Sequence, residues 1–254
     1  MTTDALALMV AVAMAIAAGL VGSFALMRRM ALAADALSHV ALPGIGIALA
    51  FGIHPLVGAV VMLFFGALMV WAVEGRTRAA TETAIGVIFT ASLAVGSLMA
   101  SGEELIDALF GRPGVLTVTE IVFGLVAAAV VVVFIVVYRH SLIVMLVSPD
   151  VARTAGVNVS RLNLWYLLTF ALTIALGLRY LGVLLMGALI IIPAAAGKRL
   201  ANSLNAMLLT SVGVAVVSTV LGTWLAAGFH RDSGPLIVIV AAGAFLLSLL
   251  RRPS

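Results

Sequence analysis

The stretch Met30-Ala-Leu-Ala-Ala-Asp35-Ala-Leu-Ser-His39-Val-Ala-Leu-Pro43-Gly44 sets two ionisable side chains inside an apolar run that extends to about Gly52. As a helix, roughly 23 residues rise about 34 Å, enough to cross the hydrocarbon of a bilayer. Asp35 and His39 are four apart and therefore share one helix face, one turn from each other. Both side chains ligate divalent cations. At ~8 and ~14 Å from the start of the run they fall within the hydrocarbon thickness, where an ionisable pair is costly and marks function. A structural alternative makes Asp35 the N-cap of a helix starting at Ala36, with His39 hydrogen-bonded to a neighbouring span. Pro43, Gly44 and Gly46 are expected to bend or loosen the helix just beyond the pair.

Working outward, the chain is 64% hydrophobic and 9% charged over 254 residues, which excludes a soluble domain. The apolar runs are helix-length and lack the alternation of an outer-membrane barrel, so the expected fold is all-α: one polytopic helix bundle over residues 1–254. The net charge of +4 is then no sign of nucleic-acid binding. With no cysteine, thiolate metal sites and disulfides are excluded. Residues 5–27 are too long and continuous for a signal peptide and read as a first span.

Nine apolar segments follow one another: about 5–27, 30–52, 55–73, 83–100, 118–137, 162–178, 181–197, 203–227 and 234–250, with eight spans as the alternative if two short segments form one hairpin. The breaks at Arg28-Arg29 and His54-Pro55 are the narrowest. An N-terminus outside and a C-terminus inside put Arg28, Arg29, Arg76, Arg78, Arg139, Arg153, Arg161, Lys198, Arg199, Arg251 and Arg252 in the cytoplasm. Only Arg112, Arg179 and Arg231 then lie outside, as the positive-inside rule requires.

The one sizeable inner connection is read as a loop over about 138–161. Within it, Ser148 is placed to cap a helix with Pro149 at its first position, Asp150 complements the positive end of the dipole, and Gly156 is placed to end it. A short helix outside the bilayer is expected, with Arg153 on it, suited to docking another protein. The outer loop 101–117 carries Glu103, Glu104 and Asp107, more simply a solvated loop than a cation-attracting mouth. His54 is read first as a turn residue, and His230 and Asp232 as members of the last outer loop. All three are candidate weak entry ligands for a cation. His140 reads as an interfacial residue, Glu82 as the acidic start of the fourth span, and Glu120 and Arg179 as residues of the outer face.

Gly197-Lys198 does not make a phosphate-binding loop: Ile192 stands where the first glycine belongs, and Arg199 where Ser or Thr belongs. An ATP-driven role therefore needs a separate ATPase. No zinc-protease or serine-hydrolase motif is present, so an intramembrane enzyme has little support. A proton- or sodium-coupled transporter is weakened because Asp35 is the only acidic residue deep in a span, and a scaffold does not explain a buried Asp–His pair.

Several segments now add up. Met27-Arg28-Arg29-Met30-Ala31 with Asp35-x-x-x-His39, Leu109-Phe-Gly111 with Val115-Leu-Thr-Val-Thr119, Ser148-Pro-Asp-Val-Ala152 with Gly156-Val157, Leu181-Gly-Val-Leu-Leu185 with Leu189-Ile-Ile-Ile-Pro193-Ala-Ala195, and Ser233-Gly-Pro-Leu-Ile-Val238 occur in order. This series resembles the permease subunits of metal-ion ABC importers, most closely those of bacterial zinc uptake, over nearly the whole chain. The chain departs from that pattern at Leu32-Ala33-Ala34, where the family usually has an aromatic and a glycine before the aspartate. The resemblance implies a homodimer in the inner membrane, two cytoplasmic ATPase subunits docking at 148–158, and a binding protein delivering the metal from outside. It also implies that Asp35 and His39 coordinate the cation in transit. No cofactor is expected to stay bound; Zn²⁺ is the expected cargo, with manganese or iron as alternatives.

Overall fold

The computed structural model describes residues 3–30, 33–76, 81–99, 117–180 and 183–250. Nine long helices and one short one lie among them: α1 (Thr3–Met27), α2 (Ala33–Ala50), α3 (Pro55–Arg76), α4 (Thr81–Met99), α5 (Val118–Val147), α6 (Pro149–Thr154), α7 (Val159–Tyr180), α8 (Val183–Leu200), α9 (Leu204–Phe229) and α10 (Ser233–Leu249). No strand occurs among the described residues. Five helices, α1, α3, α5, α7 and α9, are long and apolar enough to cross a membrane, and shorter apolar helices lie at 34–50, 83–96 and 233–249.

Both narrow breaks are present. α1 closes with Arg29 in the left-handed region (φ 59°), where the Met30 N–H donates back to Ala25 O at 2.8 Å. This arrangement satisfies carbonyls that a helix end leaves open. Gly52, at φ 66°, ends the second helix in the same way, and α3 opens on Pro55.

α1 and α7 form the interior. Phe24, Met14, Tyr166, Phe170 and Ile174 are fully buried there. α2, α3 and α4 pack together on one flank and α8, α9 and α10 on the other, and α2 also touches α7 and α8. Small residues set the spacing, as expected where lipid supplies no hydrophobic drive between helices. A Cβ on Gly44 of α2 would fall 2.2 Å from Gly58 O of α3, and one on Gly22 of α1 would fall 2.0 Å from Ile190 O of α8. The helices are in backbone contact at these points. Gly44 therefore serves packing, and α2 continues through Pro43 to Ala50.

The expected inner loop at 138–161 is corrected. α5 continues past Arg139-His140 to Val147, because the next turns are apolar and Leu142 and Met145 are buried. α7 begins already at Val159, so few residues there are non-helical. α6 has the anticipated construction. The Ser148 side chain caps it by accepting from Val151 N, Pro149 opens it, the Asp150 carboxylate accepts from Arg153 at 2.6 Å, and Gly156 follows at φ 83°.

The outer loop with Glu103, Glu104, Asp107 and Arg112, the first part of the 109–119 motif, Arg78, Leu181-Gly182, and Arg251-Arg252 lie outside the described residues.

Candidate functional site

α2 begins two residues before Asp35. Asp35 is therefore in the first helical turn, where a carboxylate complements the dipole, and is not the N-cap of a shorter helix. Ser38 holds the same turn, its hydroxyl donating to Ala34 O at 2.6 Å. His39 follows one turn on, on the same face. The imidazole Nε2 lies 4.0 Å from Asp35 Oδ1, beyond hydrogen-bonding distance. The Asp35 side chain is 55% exposed and that of His39 20% exposed. The other ring nitrogen, Nδ1, is buried and has no hydrogen-bond partner. Both side chains thus keep lone pairs uncommitted.

Two neighbours invisible to sequence pattern complete the surroundings. The ring of Phe89 on α4 tilts against His39, with centroids 5.5 Å apart. Gly187 on α8 faces the Asp35 backbone, and a Cβ there would lie 3.4 Å from Asp35 Cα. Gly187 stands 13 residues before Leu200 and four after Val183, so the half-exposed Asp35 lies roughly 20 Å from one end of α8 and about 6 Å from the other. Gly187 lies between the Leu181–Leu185 and Leu189–Ala195 segments singled out in the sequence. The Thr117-Val-Thr-Glu120 capping box was legible and was missed. Glu120 Oε2 accepts from Thr117 N at 2.9 Å and opens α5, which accounts for a residue read as merely interfacial.

The remaining candidates lie elsewhere. His54 is exposed, and its Nδ1 accepts from Leu56 N at 3.3 Å, the expected turn role. His230 ends α9 at φ 51°, and Asp232 occupies the N-cap position of α10 without a side-chain capping bond. Arg139 Nε donates to His140 Nε2 at 3.3 Å. Glu82 is the second residue of α4. Among the described residues, no three His, Cys, Asp or Glu side chains of one chain converge on a point that can hold a metal ion. Ser148, Pro149, Asp150, Arg153 and Gly156 sit together on and around α6.

The family model described as "ABC 3 transport family" matches residues 3–252. The chain belongs to this family. It is accordingly a multi-pass membrane protein and a transport component. Similar members include the manganese transport system membrane protein MntC of Listeria monocytogenes, 30% identical over 97% of this chain and 90% of that protein. The high-affinity zinc uptake system membrane protein ZnuB of Haemophilus influenzae is also 30% identical, over 97% of this chain and 96% of its own length. The solved structure of PsaBC from Streptococcus pneumoniae in complex with Fab contains a chain that matches with TM-score 0.84 at 28% identity, covering all of this chain and 93% of that one.

Proposed function

We propose that this chain is the membrane-spanning permease subunit of an ATP-driven importer of divalent metal cations, with Asp35 and His39 as the coordinating pair on the translocation path. The observation that carries this reading is the pair's geometry: a carboxylate and an imidazole one turn apart on a partly exposed face of α2, not bonded to each other. Zinc–nitrogen and zinc–oxygen bonds of about 2.0–2.2 Å at a tetrahedral angle place the donors about 3.4 Å apart, so 4.0 Å is slightly open and a side-chain rotation closes it. Two ligands hold an ion weakly. A second copy of the chain, facing the exposed Asp35, completes an Asp₂His₂ set from a homodimer. That nitrogen–oxygen set suits zinc or manganese over calcium or magnesium.

The chain crosses the inner membrane nine times, N-terminus outside. Arg28, Arg29 and Arg153 gather at one end of the bundle and support this as the cytoplasmic end. Two ATPase subunits dock at 148–158 and move α6 to switch the open side of the dimer. An extracytoplasmic binding protein supplies the ion, with His54, His230 and Asp232 as weak entry ligands. Zinc is the proposed cargo. Manganese is the second reading, favoured by the similarity to MntC.

The test is ATP-driven uptake of radiolabelled zinc into proteoliposomes holding the chain with its ATPase and binding protein, with manganese as competitor. Zinc uptake that Asp35→Ala and His39→Ala both abolish is expected. If both variants transport normally, the pair is structural. If manganese at equal concentration displaces all zinc uptake, the cargo is manganese.

A further inference from the structure

Arg28 was readable in the sequence only as a positive charge at the inner edge. Its surroundings give it a second role. The guanidinium, partly buried, donates through Nη2 to Asn163 Oδ1 of α7. Asn163 Nδ2 donates in turn to Glu74 Oε2 of α3 at 2.7 Å, so both ends of one amide are committed and its orientation is fixed. The guanidinium also lies over the Tyr166 ring of α7, 4.8 Å from its centroid. The Tyr166 hydroxyl donates to Val21 O of α1 at 3.3 Å, returning to the helix that Arg28 follows. A second tie joins α3 to α7: Trp71 Nε1–H, one turn before Glu74, donates to Ser160 O at 3.0 Å, one turn before Asn163. A solvated interfacial arginine needs none of these partners.

The position of the cluster gives it a use. It lines a cavity of about 440 Å³ whose wall also includes Pro149 and Arg153 of α6. Asn163 lies just inside α7, the helix that follows α6. On the other side, Arg28 is followed by the left-handed Arg29 and the buried Met30, and the first turn of α2 carries Asp35. Arg28 thus shares a cavity wall with α6 and stands seven residues before Asp35 in the chain.

We infer that Arg28 is a positioning residue: the Arg28–Asn163–Glu74 cluster ties movement of α6 and α7 to the start of α2, coupling ATPase docking to the state of the ion site. This rests on the functions proposed above for α6 and for Asp35–His39. The latch does not contact the ion. Its loss uncouples transport without removing ion binding.

The experiment compares wild type, Arg28→Met, Arg28→Lys, Asn163→Leu and Asp35→Ala as full complexes in proteoliposomes, reading zinc ions moved per ATP hydrolysed. Zinc retention by the detergent-solubilised complex is measured alongside. Arg28→Met and Asn163→Leu are expected to keep basal hydrolysis and zinc retention within about twofold while zinc per ATP falls about tenfold or more, and the double variant is no worse than either alone. Arg28→Lys keeps the stem and the charge and is expected to lose about threefold; it decides the matter if the larger changes prevent assembly. Unchanged zinc per ATP in the assembled Arg28 and Asn163 variants overturns the latch. A parallel Asp35→Ala separates the two ideas. Normal uptake in it removes the ion-site reading, whereas a dead Asp35→Ala beside fully coupled Arg28 variants removes the latch alone.

Discussion

The molecule holds two polar clusters in an apolar bundle, and they are built in opposite ways. At the Arg28 end, one guanidinium, one amide, one carboxylate and one phenol are joined in a chain of bonds across α1, α3 and α7. At the Asp35 site, the two side chains stand 4.0 Å apart, Asp35 is half exposed and a buried imidazole nitrogen has no partner. Arg28 Nη1, like His39 Nδ1, is buried without a hydrogen-bond partner, but only the Arg28 cluster has side-chain bonds that tie one helix to another, and an unbonded pair carries a standing cost that a bound partner relieves. The first cluster suits a fixed joint and the second a transient ligand.

The strongest way to break this contrast is to remove the open pair. Asp35→Ala or His39→Ala is expected to reduce metal uptake more than about 100-fold while shifting the thermal midpoint of the purified chain by only a few degrees, because neither side chain donates or accepts a hydrogen bond that the fold uses. A large loss of thermal stability in either variant would make the pair structural. The fixed joint is expected to behave in reverse. Arg28→Met leaves the partly buried Asn163 amide oxygen without its donor and lowers stability by about 1–3 kcal/mol, read by thermal unfolding in detergent.

The scaffold that presents the open pair is sharpened by Gly44→Ala. The added methyl meets Gly58 O, so α2 must separate from α3, at about 1–3 kcal/mol in stability. At Gly187, by contrast, an added Cβ makes an ordinary contact with Asp35, and Gly187→Ala is expected to leave stability within about 0.5 kcal/mol of wild type in the same assay. The effect at α6 is the most local. Ser148→Ala removes the capping acceptor for Val151 N and is expected to cost about 1 kcal/mol locally, seen as faster amide exchange over 149–155 with the rest of the chain unchanged.

Much of this was legible from local chemistry. The apolar segments, the breaks at Arg28-Arg29 and His54-Pro55 and the capped α6 follow from hydropathy and capping, which act over a few residues. The shared face of Asp35 and His39 follows from helical period alone. The overlong loop at 138–161 shows where that reasoning fails: two polar residues in one turn look like a helix end, but burial of Leu142 and Met145 against neighbouring helices keeps α5 going. Phe89 beside His39, Gly187 beside Asp35 and Asn163 between Arg28 and Glu74 were not legible, since each pairing joins residues from different helices. Sequence by itself determined which segments are helices, where they are capped and which ionisable residues share a turn, because these depend on interactions within one or two helical turns. Only the tertiary structure decided which of those residues are tied down and which stay open, because hydrogen-bond satisfaction in an apolar interior depends on which helix arrives alongside.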